Sequence, residues 1–261
     1  MTFTRAALGV FVVITIAFAS WAGAQDLPDI SLPAPRMEGG KPLMQALKDR
    51  QSSRVFSTEK LPDQIVADLL WAAAGINRTD SGKRTAPSAR NWQEVEVYAI
   101  LEDGAYVYDA KTNSLKAVVK GDLRKLTGSQ DFVATAPLNL VYVVDSAKMT
   151  GSSPEDHALY TGVDTGFISE NVYLFCASEG LATVVRGSVD RKALAEALKL
   201  PETKQVTFAQ TVGYPATEGQ WKSAARGSVI ERSDLRRRFA DSRRRSRGIP
   251  AKKGSKRGET R

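Results

Sequence analysis

Apolar residues in this chain recur first at helical spacing and then in alternation. Pro42 suits the first position of a helix, and Leu43, Met44 and Leu47 share one side after it, so a short helix is expected to about Asp49. Leu61-Pro62-Asp63 opens a second helix, with Ile65, Leu69, Ala72 and Ile76 in register and Gly75 and Asn77 placed to end it. The period then changes. Val95, Val97 and Ile100 begin a strand over about 94–101. Asp103-Gly104 and Thr112-Asn113-Ser114 are turn segments on either side of 105–108, and 115–119 returns, giving a small antiparallel meander. A helical stretch near 122–126 precedes 138–144, an almost wholly apolar run suited to a buried central strand.

The longest periodic segment, about 162–179, carries Phe167, Ile168, Val172, Leu174, Phe175 and Ala177 on more than one side. Such a helix lies inside the protein or against another subunit. Gly180 stops it. A strand over 181–185, a turn at Arg186-Gly187, a helix led by Ser188-Val189-Asp190-Arg191 and a last strand over 205–212, closed by Gly213-Tyr214-Pro215, complete the order. No internal repeat interrupts it, and the sequence of elements fits one domain with a mixed sheet flanked by helices.

Both ends break this pattern. Arg5, the apolar run 6–19 and Ala22-Gly23-Ala24 have the form of a cleavable signal peptide over 1–24, with cleavage expected after Ala24. The alternative, an uncleaved anchor, would need roughly 20 apolar residues. No twin-arginine pair precedes the run, so the general secretory route, which threads unfolded chains, is expected, with a periplasmic or secreted mature protein. Prolines 28, 33 and 35 with Gly39 and Gly40 make 25–40 an extended leader, and 41–231 is expected to hold the domain. The net charge of +8 is uneven: 232–261 has thirteen Lys or Arg against Asp234, Asp241 and Glu259, so the remainder sums to −2. That basic tail is expected to be disordered beyond Asp241. It is either an electrostatic tether to an anionic surface or a solvated extension, and export makes nucleic acid the least favoured partner.

Candidate chemistry is sparse in the usual nucleophiles and ligands. Cys176 is the only cysteine and sits in an apolar stretch that suits burial. His157 is the only histidine, which excludes multi-histidine metal sites, and its setting suits a surface helix. Gly82-Lys83 is not a phosphate loop, because Asn77 and Arg84 stand where glycine and a hydroxyl residue would be needed. Two polar clusters remain. Arg50-Gln-Ser-Ser-Arg54 follows the first helix, and Arg84-Thr-Ala-Pro-Ser-Ala-Arg-Asn-Trp-Gln93 runs straight into a strand. Each alone reads as a solvated loop; together they can form one site for an anion and a flat ring.

At these residues the chain resembles the nitroreductase superfamily, in the branch similar to the dehydrogenases of thiazole and oxazole peptide maturation. Arg50-x-Ser52-x-Arg54 looks like that family's phosphate clamp for flavin mononucleotide (FMN). Ala86-Pro87-Ser88 with Asn91-x-Gln93 looks like the segment that contacts flavin phosphate and ring. The run from Leu69 to Arg78, the run from Glu179 to Gly187, which is like the stretch whose backbone passes the flavin and so implies Arg186 and Gly187 as cofactor contacts, and Val212-Gly-Tyr-Pro215 follow in the family's order. The resemblance implies an α+β fold of three layers, α/β/α, around a mixed and mainly antiparallel sheet. It also implies an FMN-dependent oxidoreductase, with NAD(P)H or another donor passing hydride to a small nitroaromatic or quinone-type molecule. No catalytic side chain is required, since the flavin carries the hydride. An obligate homodimer is implied, with Asp164 and Gly166 as contacts from the partner side and Lys222 or Arg226 as a basic residue near the phosphate. Arg90 and Trp92 depart from the smaller residues usual there and are expected to narrow or close the pocket. A flavin or flat-ligand binder without turnover, on the same fold, is the alternative.

Overall fold

A computed structural model describes residues 27–217. The signal peptide, its cleavage site, the basic tail, Lys222 and Arg226 lie outside the described residues. The extended leader is docked: β1 (Ile30–Ser31) pairs with the strand that contains Leu115, and Arg36 gives both its backbone N–H and its Nε to Asp68, at 2.8 and 2.7 Å. Helices α1 (Leu43–Asp49) and α2 (Asp63–Ala74) follow, each preceded by a proline at its N-cap, where a missing N–H costs nothing. Because α2 stops at Ala74, Ile76 does not extend it; β2 (Ile76–Arg78) and β3 (Lys83–Arg84) instead form a hairpin that the sequence pattern did not announce.

The meander is β4 (Val95–Ile100), β5 (Gly104–Asp109) and β6 (Ser114–Lys120), followed by β7 (Leu138–Asp145), α3 (Pro154–Glu179), β8 (Ala182–Arg186), α4 (Arg191–Ala197) and β9 (Lys204–Gly213). Seven strands form one sheet in the order β1-β6-β5-β4-β7-β9-β8. Every pairing in it is antiparallel, so the parallel component of the expected mixed sheet is absent among the described residues. The stretch expected to be helical near 122–126 is a 3-10 turn at Arg124–Thr127.

Alternation along the strands produces the layers. Val95, Val97 and Ala99 meet Leu69, Leu70 and Ala73 of α2 and Ile168, Val172 and Cys176 of α3. Tyr98 and Ile100 turn the other way, onto Leu194 of α4 and Leu198 at its C-cap. β7 is buried at every position except its last, as a central strand must be. Burial also holds the Cys176 thiol far above its ordinary pKa, consistent with an inert packing role. No helix among the described residues is long and apolar enough to cross a membrane.

Helix α3 is two turns longer than its apolar pattern indicated, because a capping box starts it. Ser153 Oγ accepts the Asp156 N–H and the Asp156 carboxylate accepts the Ser153 N–H, with Pro154 at the first helical position. His157 falls in that first turn. Replacing Ser153 with alanine is expected to destabilise the protein by about 1 kcal/mol in denaturant unfolding. A loss below about 0.3 kcal/mol would mean that packing, not the cap, sets the start of α3.

Candidate active site

The first polar cluster is fixed by α3 and β8. Arg50 ends α1, its N–H bonded to the Ala46 carbonyl, and its guanidinium lies over the Tyr173 ring, 5.3 Å from the centroid. Ser52 Oγ is 2.9 Å from the Tyr173 hydroxyl, which also accepts the Val185 N–H at 2.9 Å. The Ser53 N–H donates to the Thr183 carbonyl at 2.8 Å. Arg54 is exposed, and neither arginine forms an ion pair among the described residues. Arg50 and Ser52 therefore meet at Tyr173 with Arg54 two residues further on, and neither arginine has a counter-ion among the described residues, which suits a dianion.

The second cluster is a turn held in an unfavourable backbone shape. Arg90, Asn91 and Gln93 have φ of 48°, 56° and 50°, the left-handed region that costs a non-glycine residue roughly 1 kcal/mol or more. Several ties hold it there. Ser88 Oγ accepts the Gln93 N–H at 2.9 Å, and Asp164 Oδ2 accepts the Ala89 N–H at 2.8 Å. Arg90 donates to the Gly151 carbonyl at 2.9 Å and lies over Trp92, which meets Tyr160 edge-on. Asn91 and Gln93 consequently precede β4 and do not share a strand face. Their amides still meet, Gln93 Nε2 to Asn91 Oδ1 at 3.1 Å, and Gln93 Oε1 accepts from Arg84 Nε at 2.9 Å. Burial lowers the pKa of Arg84, whose Nη1 is bonded to the Ala74 carbonyl.

Between this turn and α3 lies a small cleft of about 20 Å³, room for a single water-sized group. Arg84, Pro87, Ser88 and Gln93 form one wall, and Asp164 and Ile168 form the other. Arg90 and Trp92 do not line it; they tie the loop to Gly151 and Tyr160. Gly166, two positions after Asp164, lies on the exposed side of α3, beside Phe167. Arg186 is directed elsewhere. Its side chain points to the α4 side of the sheet, donating to Thr127 O, Asn139 Oδ1 and Thr211 Oγ1 at 2.6, 3.1 and 2.9 Å, and burial brings its pKa down to about 10. Its guanidinium is thus removed from both clusters, although Gly187 remains exposed at the end of β8.

Sequence reasoning missed two participants. Tyr173 joins Ser52 to β8, and Glu94, with no exposed surface, lies against Asp164, itself 2% exposed. A charged residue entering an apolar strand was the available signal for Glu94; nothing marked Tyr173 among the apolar residues of its helix. Both clusters hang on α3, but their anchors Asp164 and Tyr173 are nine positions apart, about 13 Å along a helix. Among the described residues, the cleft at the second cluster is lined by none of Arg50, Ser52 and Arg54.

Residues 47–214 match the sequence profile of the nitroreductase family, well over half of the chain. The chain belongs to the nitroreductase family. Among its relatives, a protein of Methanocaldococcus jannaschii named as a nitroreductase is 28% identical over 170 residues, 61% of this chain and 85% of that protein. The NADPH-flavin oxidoreductase of Vibrio harveyi is 30% identical over 119 residues, 42% of this chain and half of that enzyme. A crystal structure from Ralstonia eutropha JMP134, also named as a nitroreductase, superposes with a TM-score of 0.70 at 42% identity, covering 73% of this chain and 90% of that one. The matched region of this nitroreductase-family chain contains both clusters.

Removing the Tyr173 hydroxyl tests the first cluster. Tyr173→Phe leaves the Val185 N–H without its acceptor and frees Ser52, so unfolding stability is expected to fall by about 1–3 kcal/mol. An unchanged midpoint in urea would show that the hydroxyl is not holding β8 to α3.

Proposed function

We propose that this protein is an exported, FMN-dependent oxidoreductase passing hydride from NAD(P)H or another donor to a small electrophile of the nitroaromatic or quinone type. The observation that carries the reading is the pair of arginines flanking Ser52 that have no counter-ion among the described residues, in a family whose relatives include an enzyme named as an NADPH-flavin oxidoreductase. The residues fit FMN. Arg50, Ser52 and Arg54 would hold the phosphate dianion, and the loop of Pro87, Ser88, Asn91 and Gln93 would meet the ring system. Bound FMN supplies the two-electron chemistry, and the chain binds, orients and excludes water.

The split between the clusters is resolved by a homodimer. Leu159, Val163 and Phe167 recur every fourth residue on the exposed side of α3, and Leu43, Met44 and Leu47 are exposed on α1. A twofold axis crossing α3 near Phe167 would set the Asp164 end of one copy against the Tyr173 end of the other, assembling each site from both copies. Phe167→Glu is therefore expected to yield a folded monomer that binds FMN at least tenfold more weakly. A variant that stays dimeric, or a monomer with undiminished affinity, would remove α3 from the interface.

Export belongs to the same proposal and constrains it. A chain threaded unfolded acquires FMN only after folding, and its donor outside the cytoplasm need not be a nicotinamide. The basic segment 232–261 would then contact an anionic surface, a contact weakened by salt.

The test is the absorption spectrum of the mature protein. It is expected to be yellow, or to take up added FMN, and its flavin is expected to bleach anaerobically with a suitable donor. Arg50→Ala should weaken FMN binding by about 10- to 100-fold while changing riboflavin binding little, since a charged hydrogen bond contributes roughly 1.5–3 kcal/mol. A protein that binds no FMN would sink the proposal, and bound flavin that no donor reduces would favour the binding protein without turnover.

A further inference from the structure

We propose that Glu94 and Asp164 hold one proton between them, and that this shared proton keeps the 88–93 loop in its strained shape. The two are positioning residues, acting on the loop through the Ala89 N–H.

Glu94 stands immediately before β4 with no exposed surface, and both of its carboxyl oxygens are buried without a hydrogen-bond donor among the described residues. Asp164, on α3, lies within hydrogen-bonding reach of it and spends Oδ2 on the Ala89 N–H. A charged, undonated carboxylate in that place is strongly disfavoured. A protonated Glu94 resolves the conflict, because its O–H can donate to Asp164 while Asp164 remains an acceptor for Ala89. Burial first, and then the Asp164 carboxyl, raise the Glu94 pKa to about 7.

The cations nearby do not replace the proton. Lys148, in the turn after β7, draws Glu94 toward the charged form but is bonded to Glu96 at 3.1 Å, and Lys204 of β9 is on the same Glu96 at 2.7 Å. Arg84, across the cleft from Asp164, is bonded to Gln93 and the Ala74 carbonyl. When the proton leaves, two like charges face each other in the interior. The cheapest relief is for the loop beside them, with its three left-handed residues, to give way.

The sign follows from linkage. Glu94 binds its proton more tightly when folded than when unfolded, so its contribution is complete below about pH 4.5 and is lost as pH rises toward about 7. The loop should therefore loosen across that interval and remain loose above it. The latch is a property of the chain and needs no flavin; only the loop's role beside the ring rests on the reading above.

The experiment compares the purified full chain with Glu94→Gln, whose amide donates to Asp164 at every pH. Between about pH 5 and about pH 8.5 the wild-type melting temperature should fall relative to the variant by on the order of 5 °C. Trypsin cleavage after the exposed Arg90 should increase with pH in the wild type relative to the variant. If Glu94→Gln does not fold, Asp164→Asn serves in its place, since asparagine still accepts from Ala89 and donates to Glu94. Independently of any variant, the infrared spectrum of the wild type should show a buried carboxylic acid C=O band near pH 5.5 that disappears by about pH 8.5. Parallel pH profiles for wild type and variant, or the absence of that band, would overturn the proposal. Loss of FMN binding at every pH, with the latch profile intact, would instead count against the flavin reading.

Discussion

Both halves of the candidate site depend on the burial of α3, because each is held by one polar side chain that the helix carries inward. Asp164 takes the Ala89 N–H and Tyr173 takes the Val185 N–H while bonding Ser52. Neither bond could hold a loop in place if the helix moved. The helix is fixed by Ile168, Val172 and Cys176 packed on the sheet and by Asn171 bonded to the Ala72 carbonyl of α2. Apolar packing supplies the rigidity, and two hydrogen bonds convert it into the position of two otherwise exposed loops.

That division explains what the sequence could reveal. Strands β4 to β7 were readable because Val95, Val97, the Asp103-Gly104 turn and the run of β7 follow local rules of period and turn chemistry. The first turns of α3 were not, because Ala158, Thr161 and Gly162 carry little apolar signal and the capping box at Ser153 and Asp156 sets the start. The β2–β3 hairpin is too short for a period to register. Site residues divide in the same way. Arg50, Ser52, Ser88 and Gln93 lie where their loops were expected, since local sequence forms the loops. The direction of the Arg186 side chain was not legible, because the face of a strand depends on its register: pairing with β9 turns it toward Thr127 and Asn139.

Arg186 and Glu94 show two outcomes for charge carried inward by a sheet. Arg186 directs Nη1 and Nη2 at neutral oxygens that accept their hydrogen bonds, so it stays charged at a lowered pKa and stitches β8 to β7 and β9. Glu94's carboxyl oxygens are buried without a side-chain hydrogen-bond donor among the described residues and have another acid for a neighbour, so neutralisation is the route to a tolerable state. The first residue is insensitive to pH near neutrality, whereas the second titrates there. Only the second has a neighbour, Asp164, that lines the cleft.

A loop with three left-handed non-glycine residues cannot rely on a ligand for its shape if the ligand arrives late. On the proposed route the chain crosses a membrane unfolded and meets flavin afterwards, so any ordering left undone would subtract from affinity. The chain completes that ordering itself: Ser88 holds Gln93, Arg84 holds the Gln93 amide, Arg90 reaches Gly151, and Asp164 holds Ala89. Arg90 and Trp92, which look obstructive in the sequence, are then the residues that anchor the outer side of the loop. Smaller residues at these positions would leave the strain to be met at the moment of binding, so their bulk serves preorganisation.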